Sequence, residues 1–356
     1  MSEPSLSSLL QECAIGSIDT AFENFLRDSI NIAKNIRSTA STSQNHLRQF
    51  LAGENARDGT FPVVLSENDK DFIGGSFARQ TKIYPLDDID IYVPLDGYGL
   101  QWFEYGMPQP ITIVSDDDIW FNPLLYPRWM NGSYVSSQKL INGFARALNR
   151  HYPDQTQVKK NGQAVTIRMS YGETEDGLGL GFDVVPCFSM KPQNGDSAFY
   201  TIPSGSDGWI RTNPRLDNKV ADWLNQQTDK TYRKTVKLIK YWNQAKLNGA
   251  LNSYYIEMAI ARECIAKINK HEPVSHVSFS VALGFWAVNE AVKKGDQQAF
   301  ITKAPPIEPG TSDFGKLSIL RTASATAVEA WNHELQGESV ESMKKWKRLF
   351  GNQFGD

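Results

Sequence analysis

The feature that most constrains the fold is the stretch from residue 73 to residue 93, IGGSFARQTKIYPLDDIDIYV. A Gly-Gly-Ser turn is followed, after eleven residues, by Asp88-Ile89-Asp90, in which acidic and apolar residues alternate. Such alternation is typical of a strand, whose successive side chains point to opposite faces. We therefore expect a strand that carries Asp88 and Asp90 on one face and Ile89 and Ile91 on the other.

Two neighbouring carboxylates repel each other, and burying either one as a charge is unfavourable without a partner. A divalent cation resolves this conflict, and Mg²⁺ typically binds through one or two carboxylates together with substrate phosphates. Gly74 and Gly75 let backbone N–H groups approach an anion closely, and Ser76 adds a hydroxyl donor. The alternative is a solvated strand face and an ordinary turn. Because both features occur together, the stretch predicts a catalytic site for a metal and a triphosphate.

A third acidic residue, Asp183, lies in the apolar segment LGFDVVPCF, which predicts another strand. One acid in such a strand is energetically unfavourable unless it is paired or bound to a metal. A structural salt bridge is one explanation for it. Given Asp88 and Asp90 on an earlier strand, a third metal ligand on an adjacent strand is the simpler interpretation.

The composition is that of an ordinary globular protein, with 40% hydrophobic and 22% charged residues. A chain of 356 residues is long enough for two domains. The formal charge of −3 does not favour tight, sequence-independent binding to long nucleic acids. The three cysteines are far apart and the five histidines are scattered, which fits a reducing compartment and argues against structural zinc. We expect a soluble cytoplasmic protein without a membrane span.

The rest of the chain divides into a mixed first part and a helical second part. Residues 6–50 show helical periodicity and predict one long helix that braces the first domain. The segment 94–130 is an aromatic- and proline-rich insert whose acidic run, Asp116 to Asp118, indicates a helix N-terminus or a solvated loop. Alternating residues around Asn161-Gly162 predict a β-hairpin. Beyond Pro214 the periodicity is almost wholly helical.

Charged and polar residues in the second part offer further candidates for a binding site. Arg233, Lys237 and Lys240 share one face of a predicted helix, which is either a solvated surface or the wall of a cleft. Ser253 is predicted to cap the next helix, where its N-terminus would attract an anion. Tyr254 is suited either to packing or to stacking on a base.

These segments together resemble the bacterial CD-NTase family of the polymerase-beta-like nucleotidyltransferase superfamily, the relatives of cyclic GMP-AMP synthase and oligoadenylate synthase. The resemblance runs from residue 73 to 351 and is carried by the order of six segments: Gly-Ser with Asp-Ile-Asp, FDVVP, WIRTNP, LIKYWN, NSYYIE and KWKRLFG. It implies a bilobal α+β fold, with a mixed-sheet nucleotidyltransferase core and its bracing helix at 1–212. An all-helical lobe at 213–356 is implied beside it, with the active-site cleft between them.

The resemblance also implies roles for particular residues. The catalytic residues and metal ligands, which hold two Mg²⁺ ions or Mn²⁺ in their place, are Asp88, Asp90 and Asp183. The nucleotide-binding residues, of which the last stacks on a base and the others hold the donor triphosphate, are Gly75, Ser76, Lys240, Ser253 and Tyr254. The zinc-binding insert of the animal DNA sensor is missing, which argues against sensing of that kind. The insert at 94–130 has no counterpart in the resemblance.

The predicted reaction joins nucleoside triphosphates, ATP among them, into a cyclic di- or trinucleotide with release of pyrophosphate. Within the family such a product activates a separate effector during phage infection (CBASS signalling), and a monomer is expected. Other enzymes of the superfamily are the alternative: a linear oligonucleotide synthase, a tRNA-end nucleotide adder, or an enzyme that modifies a protein or small molecule. A non-catalytic nucleotide-binding module is a further alternative, disfavoured because a dead site has no use for three repelling carboxylates.

Overall fold

The computed structural model describes residues 6–66, 72–104, 111–115, 122–153, 156–169, 179–191 and 197–355. The run Asp116 to Asp118 lies outside them. The α-helices are α1 (Leu6–Phe25), α2 (Lys34–Ala52), α3 (Glu54–Arg57), α4 (Gly75–Ala78), α5 (Ser137–His151), α6 (Pro214–Gln227), α7 (Thr231–Leu247), α8 (Ser253–Asn269), α9 (Val277–Lys294), α10 (Phe314–Leu335) and α11 (Ser339–Phe350). The strands are β1 (Phe72–Ile73), β2 (Ile89–Pro94), β3 (Leu100–Glu104), β4 (Ile111–Ser115), β5 (Met130–Asn131), β6 (Tyr134–Val135), β7 (Thr156–Asn161), β8 (Ala164–Met169), β9 (Leu180–Met190), β10 (Phe199–Pro203) and β11 (Trp209–Thr212).

The strands of the described residues form one mixed sheet in the order β1-β2-β9-β10-β11-β4-β6-β5, with β8 also paired to β9 and β7 to β8. At its centre β2 and β9 run parallel, and Ile89 lies opposite Phe182. Both side chains are fully buried, as expected where helices or other strands cover a parallel pair. The predicted hairpin is confirmed, because β7 and β8 pair antiparallel and Asn161 lies opposite Ala164. The mixed sheet followed by a helical region confirms the predicted α+β class.

The N-terminal region differs from the single helix predicted over 6–50. Helix α1 passes into a π-helical turn at Leu26–Ile30, and the chain is extended at Asn31 before α2 begins at Lys34. Helix α2 packs on the sheet, whereas α1 belongs to the core of the C-terminal helices. The break follows from this division, because the apolar side chains of the two helices face different cores.

The described residues bury two main hydrophobic clusters, one around the sheet and one among α1 and the helices from α6 onward. Helix α6 begins at Pro214 and is capped by Asn213, whose side chain accepts a hydrogen bond from the Leu216 N–H. The boundary between residues 212 and 213 remains a prediction. Within the described part of the chain, each helix is too short or too polar to cross a membrane.

Candidate functional site

The structure brings two of the predicted acidic residues together at the centre of the sheet. Asp90 on β2 lies directly opposite Asp183 on the parallel strand β9, so both side chains leave the same face. Burial, together with the charges of Asp88 and Asp183, raises the pKa of Asp90 to about 7. Burial also raises the pKa of Asp183, although a hydrogen bond from the Thr166 hydroxyl at 2.5 Å opposes this shift. Asp90 and Asp183 therefore concentrate negative charge at one place, and nearby positive charges offset little of it.

Asp88 differs from its predicted place, because β2 begins at Ile89 and Asp88 is the residue before it. Its carboxylate is half exposed and forms an ion pair with Lys82. The same ammonium group binds Asp87 at 2.6 Å. Burial and the neighbouring Asp87 raise the pKa of Asp88, and the charge of Lys82 acts against them. Lys82, which was not among the predicted site residues, thus offsets the negative charge of Asp87 and Asp88.

The Gly-Gly-Ser segment lies directly against Asp90. Gly75 has φ +64°, and a Cβ atom added there would lie 1.6 Å from Asp90 Oδ2. Only glycine fits this position, since it alone combines that backbone conformation with such a close approach. Ser76 follows in the short helix α4, and its carbonyl accepts hydrogen bonds from the backbone of Thr81 and Lys82 at 2.9 and 3.1 Å. The Gly-Gly-Ser turn therefore contacts Asp90 on one side and fixes the backbone of Lys82 on the other.

Lys240 is buried and does not line the cavity beside Gly75 and Asp90 that is described below. Its ammonium group lies 2.5 Å from Glu257 Oε1 on α8 and 3.4 Å from the Thr81 carbonyl. Ser253 is exposed, and the prediction that it caps α8 is wrong. The cap is Asn252, whose side chain accepts hydrogen bonds from the N–H groups of Tyr254 and Tyr255. Asparagine and serine cap helices equally well, so the sequence did not distinguish these neighbours.

A buried ionic cluster that the sequence analysis missed joins the sheet to the helical region. The guanidinium group of Arg79 donates to both carboxylate oxygens of Glu257, at 2.7 and 3.2 Å, and Lys240 binds the same carboxylate. Burial opposes ionisation of Glu257, yet the charges of Arg79 and Lys240 lower its pKa to about 2. The available signal was a lone acid in the apolar run YYIEMAIA, the same signal that indicated Asp183.

A cavity of about 470 Å³ opens beside Gly75 and Asp90. It is also lined by Arg79, Asp217 and Tyr254. The Tyr254 hydroxyl donates to Asp217 Oδ2 at 2.8 Å, and the guanidinium carbon of Arg79 lies 5.3 Å from the centre of its ring. Burial raises the pKa of Asp217, and the charge of Arg79 acts in the opposite direction. The volume is in the range of small-molecule sites, about 300–1,000 Å³.

The carboxylates of Asp88, Asp90 and Asp183 meet some of the requirements of a divalent cation. Within the described residues, no three or more histidine, cysteine, aspartate or glutamate side chains are grouped closely enough to hold a metal ion. Asp90 and Asp183 nevertheless supply hard oxygen donors on one face, and the raised pKa of Asp90 reports negative charge that a cation would relieve. For Asp88 to join them, its carboxylate must exchange Lys82 for the cation. The donor set therefore fits Mg²⁺ in kind.

Comparisons with known proteins agree with this architecture. The chain matches no family model. It is 27% identical, over 351 residues, to a protein of Bacillus cereus strain VD146 named as a probable cyclic nucleotide synthase; the match covers 96% of this chain and 98% of the relative. Its fold is similar to that of E. coli MS115-1 CdnC, a bacterial CD-NTase, solved with ATP and in a complex with HORMA-deltaN. Both structures give a TM-score of 0.60 and cover 94% of this chain and 98% of theirs, at 16% and 17% identity. The predicted resemblance to CD-NTases is confirmed.

Proposed function

We propose that this protein joins nucleoside triphosphates into a cyclic di- or trinucleotide and releases pyrophosphate. The observation that carries the proposal is the placement of Asp90 and Asp183 side by side, with Gly75 packed against Asp90 at the mouth of a cavity. The similarity along nearly the whole chain to a probable cyclic nucleotide synthase supports it. So does the shared fold with CdnC, which was solved with ATP.

In this proposal Asp88, Asp90 and Asp183 hold two divalent cations, Mg²⁺ or Mn²⁺. Bound there, the cations would stabilise the attacking and leaving oxygens of an in-line displacement at the α-phosphorus. Asp183 favours loss of the proton from the attacking ribose hydroxyl. The hydrogen bond from Thr166 occupies Oδ1 of this carboxylate and fixes its orientation. Repeating the step on the linear intermediate closes the ring.

The donor nucleotide is assigned to the surface around the Gly-Ser segment. The backbone of Gly75 and the hydroxyl of Ser76 hold its phosphates, and Tyr254 stacks on a base. Lys240 and Ser253 are proposed as further phosphate ligands. Lys240 then has to reach past Glu257, with which it is paired here, so its contribution depends on a rearrangement of that ion pair. We propose ATP as one substrate, a monomer as the active form and a separate effector as the reader of the product in anti-phage signalling.

The test is product analysis after incubation with the four common nucleoside triphosphates and Mg²⁺. Short products that resist phosphatase and carry no terminal phosphate are expected, with masses that correspond to cyclic di- or trinucleotides. Ladders of phosphatase-sensitive products would instead indicate a linear synthase. Asp90→Asn and Asp183→Asn should abolish product while the fold remains intact. The matched control is Asp229→Asn, an exposed aspartate in the turn between α6 and α7.

A further inference from the structure

Asp217, one of the acidic residues that line the cavity, has no part in the proposed phosphate chemistry. Asp217 lies in the first turn of α6 and lines the cavity together with Asn252 and Tyr254. Its place is set by the capped start of that helix, where Asn213 and Pro214 fix the chain. A carboxylate at this position is therefore held by the fold and presented to whatever occupies the cavity.

The surroundings of Asp217 define which of its atoms remain available. Oδ2 accepts the hydrogen bond from the Tyr254 hydroxyl, which places the carboxylate at the edge of the tyrosine ring. Among the described residues, no other side chain donates a hydrogen bond to this carboxylate. The guanidinium group of Arg79 is held by Glu257 and lies against the Tyr254 ring. The remaining lone pairs of Asp217 are thus free to accept hydrogen bonds from a ligand beside that ring.

The chemistry of a carboxylate decides which base it favours. An ionised carboxylate only accepts hydrogen bonds, and its two oxygens match two neighbouring donors. Guanine offers the N1–H and the 2-amino group side by side on one edge. Adenine places the N1 acceptor beside its amino group, so a carboxylate there meets a repelling lone pair. A buried polar group left without its partner is a strong source of discrimination between such ligands.

We propose that Asp217 recognises the base stacked on Tyr254 and selects guanine over adenine at this position. The inference rests on the proposed function, because that proposal assigns Tyr254 to base stacking. Asp217 acts as an acceptor for the N1–H and the 2-amino group, and Tyr254 supplies the flat surface. The cyclic nucleotide that the enzyme makes then contains at least one guanine, whatever its other bases are.

The test measures binding rather than turnover, with the non-hydrolysable analogues GMPCPP and AMPCPP in the presence of Mg²⁺. Wild-type protein is expected to bind GMPCPP at least about tenfold more tightly than AMPCPP, since a bidentate base contact is worth about 1–3 kcal/mol. Asp217→Asn should reduce this preference to less than about threefold, because the amide presents one donor and one acceptor. The inosine analogue, which lacks the 2-amino group, should bind wild-type protein with intermediate affinity.

Two further variants separate recognition from a structural role. Tyr254→Phe removes the hydroxyl that Asp217 holds but keeps the ring, so the preference for GMPCPP should persist. Asp229→Asn, an exposed aspartate beyond the end of α6, should behave as wild type. The proposal is overturned if wild-type protein binds both analogues equally, if Asp217→Asn weakens both to the same extent, or if Tyr254→Phe loses the preference as Asp217→Asn does. Guanine-selective binding without any cyclic product would contradict the proposed function but would still support base selection by Asp217.

Discussion

Gly75 lies so close to Asp90 that no side chain fits between them. A Cβ atom at Gly75 would overlap the Asp90 carboxylate, and the backbone there has φ +64°. Gly75→Ala should therefore displace Asp90 and lower the rate of product formation at least about 100-fold, with a destabilisation of about 1–2 kcal/mol. Product formation and thermal denaturation measure the two effects.

The matched control for this change is Gly132→Ala. Gly132 has φ +61° but no atom within 4 Å of an added Cβ, so it carries the same backbone strain without the contact. It should lose a similar amount of stability and keep its activity. Equal activities of the two alanine variants would contradict the role assigned to the Gly75 contact.

Glu334 on α10 is a buried carboxylate far from the sheet. Its Oε1 accepts hydrogen bonds from Ser342 and Trp346 of α11, both at 2.8 Å. Burial raises its pKa to about 7 despite these donors. The folded state thus binds more protons than the unfolded state between the ordinary pKa and about 7, and stability falls as the pH rises through this window.

Replacing Glu334 with glutamine should remove most of this pH dependence. From about pH 5 to pH 8 the wild-type protein is expected to lose on the order of 3 kcal/mol through this group, at about 1.4 kcal/mol per pKa unit. Glu334→Gln should be flatter over the same range and more stable than wild type at the upper end. Urea denaturation at several pH values measures the difference. Parallel profiles of the two proteins would show that Glu334 does not titrate in this range.

At the residue level, the sequence identifies acidic residues in apolar segments as candidate site residues, but it does not identify the side chains that bind them. Asp183 was recognisable because a charged side chain in FDVVP is unfavourable without compensation. The same reasoning applied to Glu257, yet nothing local shows that Arg79 and Lys240 bind it. Those contacts depend on how α7 and α8 pack against the segment after the Gly-Ser turn, and that arrangement is tertiary.

At the start of α8 a single side chain, that of Asn252, caps the helix. Asn252 accepts hydrogen bonds from two backbone N–H groups, whereas Ser253 is exposed and makes no such cap. Asn252→Ala should cost about 1 kcal/mol of stability, the usual value for a lost cap, and Ser253→Ala should cost almost none. Chemical denaturation of the two variants measures this. The reverse order of stabilities would return the cap to Ser253.

Elements of strong periodicity were predicted well, and their ends were not. The hairpin around Asn161-Gly162 and the helices after Pro214 follow directly from the pattern of apolar residues. Strand β2 begins one residue later than predicted, at Ile89, and the two acids before it, Asp87 and Asp88, both bind Lys82. Periodicity fixes the face and the type of an element, but it does not fix the residue at which the element begins.

At the scale of the whole molecule, the ionic cluster of Arg79, Glu257 and Lys240 links the sheet to the helices. Glu257→Gln leaves two buried cations without their counter-charge and should destabilise the protein by about 3–5 kcal/mol. The control, Glu263→Gln on the same helix, should have little effect. Replacing Arg79, Glu257 and Lys240 together with methionine should recover much of the stability, because the three charges that compensate one another are then removed together. Urea denaturation of the three variants decides, and a triple variant as unstable as Glu257→Gln would contradict this account.

The predicted single helix over 6–50 also fails at this scale for a physical reason. Its apolar residues keep helical spacing throughout, but those of α1 and α2 are buried in different cores. Phe22, for example, packs edge-on against Trp346 and Phe354, with ring centres 5.0 and 4.7 Å apart. Periodicity reports that a segment has an apolar face, and it does not report which surface covers that face.

The position of α1 has a consequence for how this chain is synthesised. The first helix leaves the ribosome long before Trp346 and Phe354, the aromatic rings that cover Phe22 in the finished protein. Its apolar side therefore remains uncovered, or is bound by a chaperone, until residues 346–354 have also left the ribosome. A fragment that begins at residue 213 has the complementary problem. It contains Trp346 and Phe354 but lacks helix α1, which packs against them.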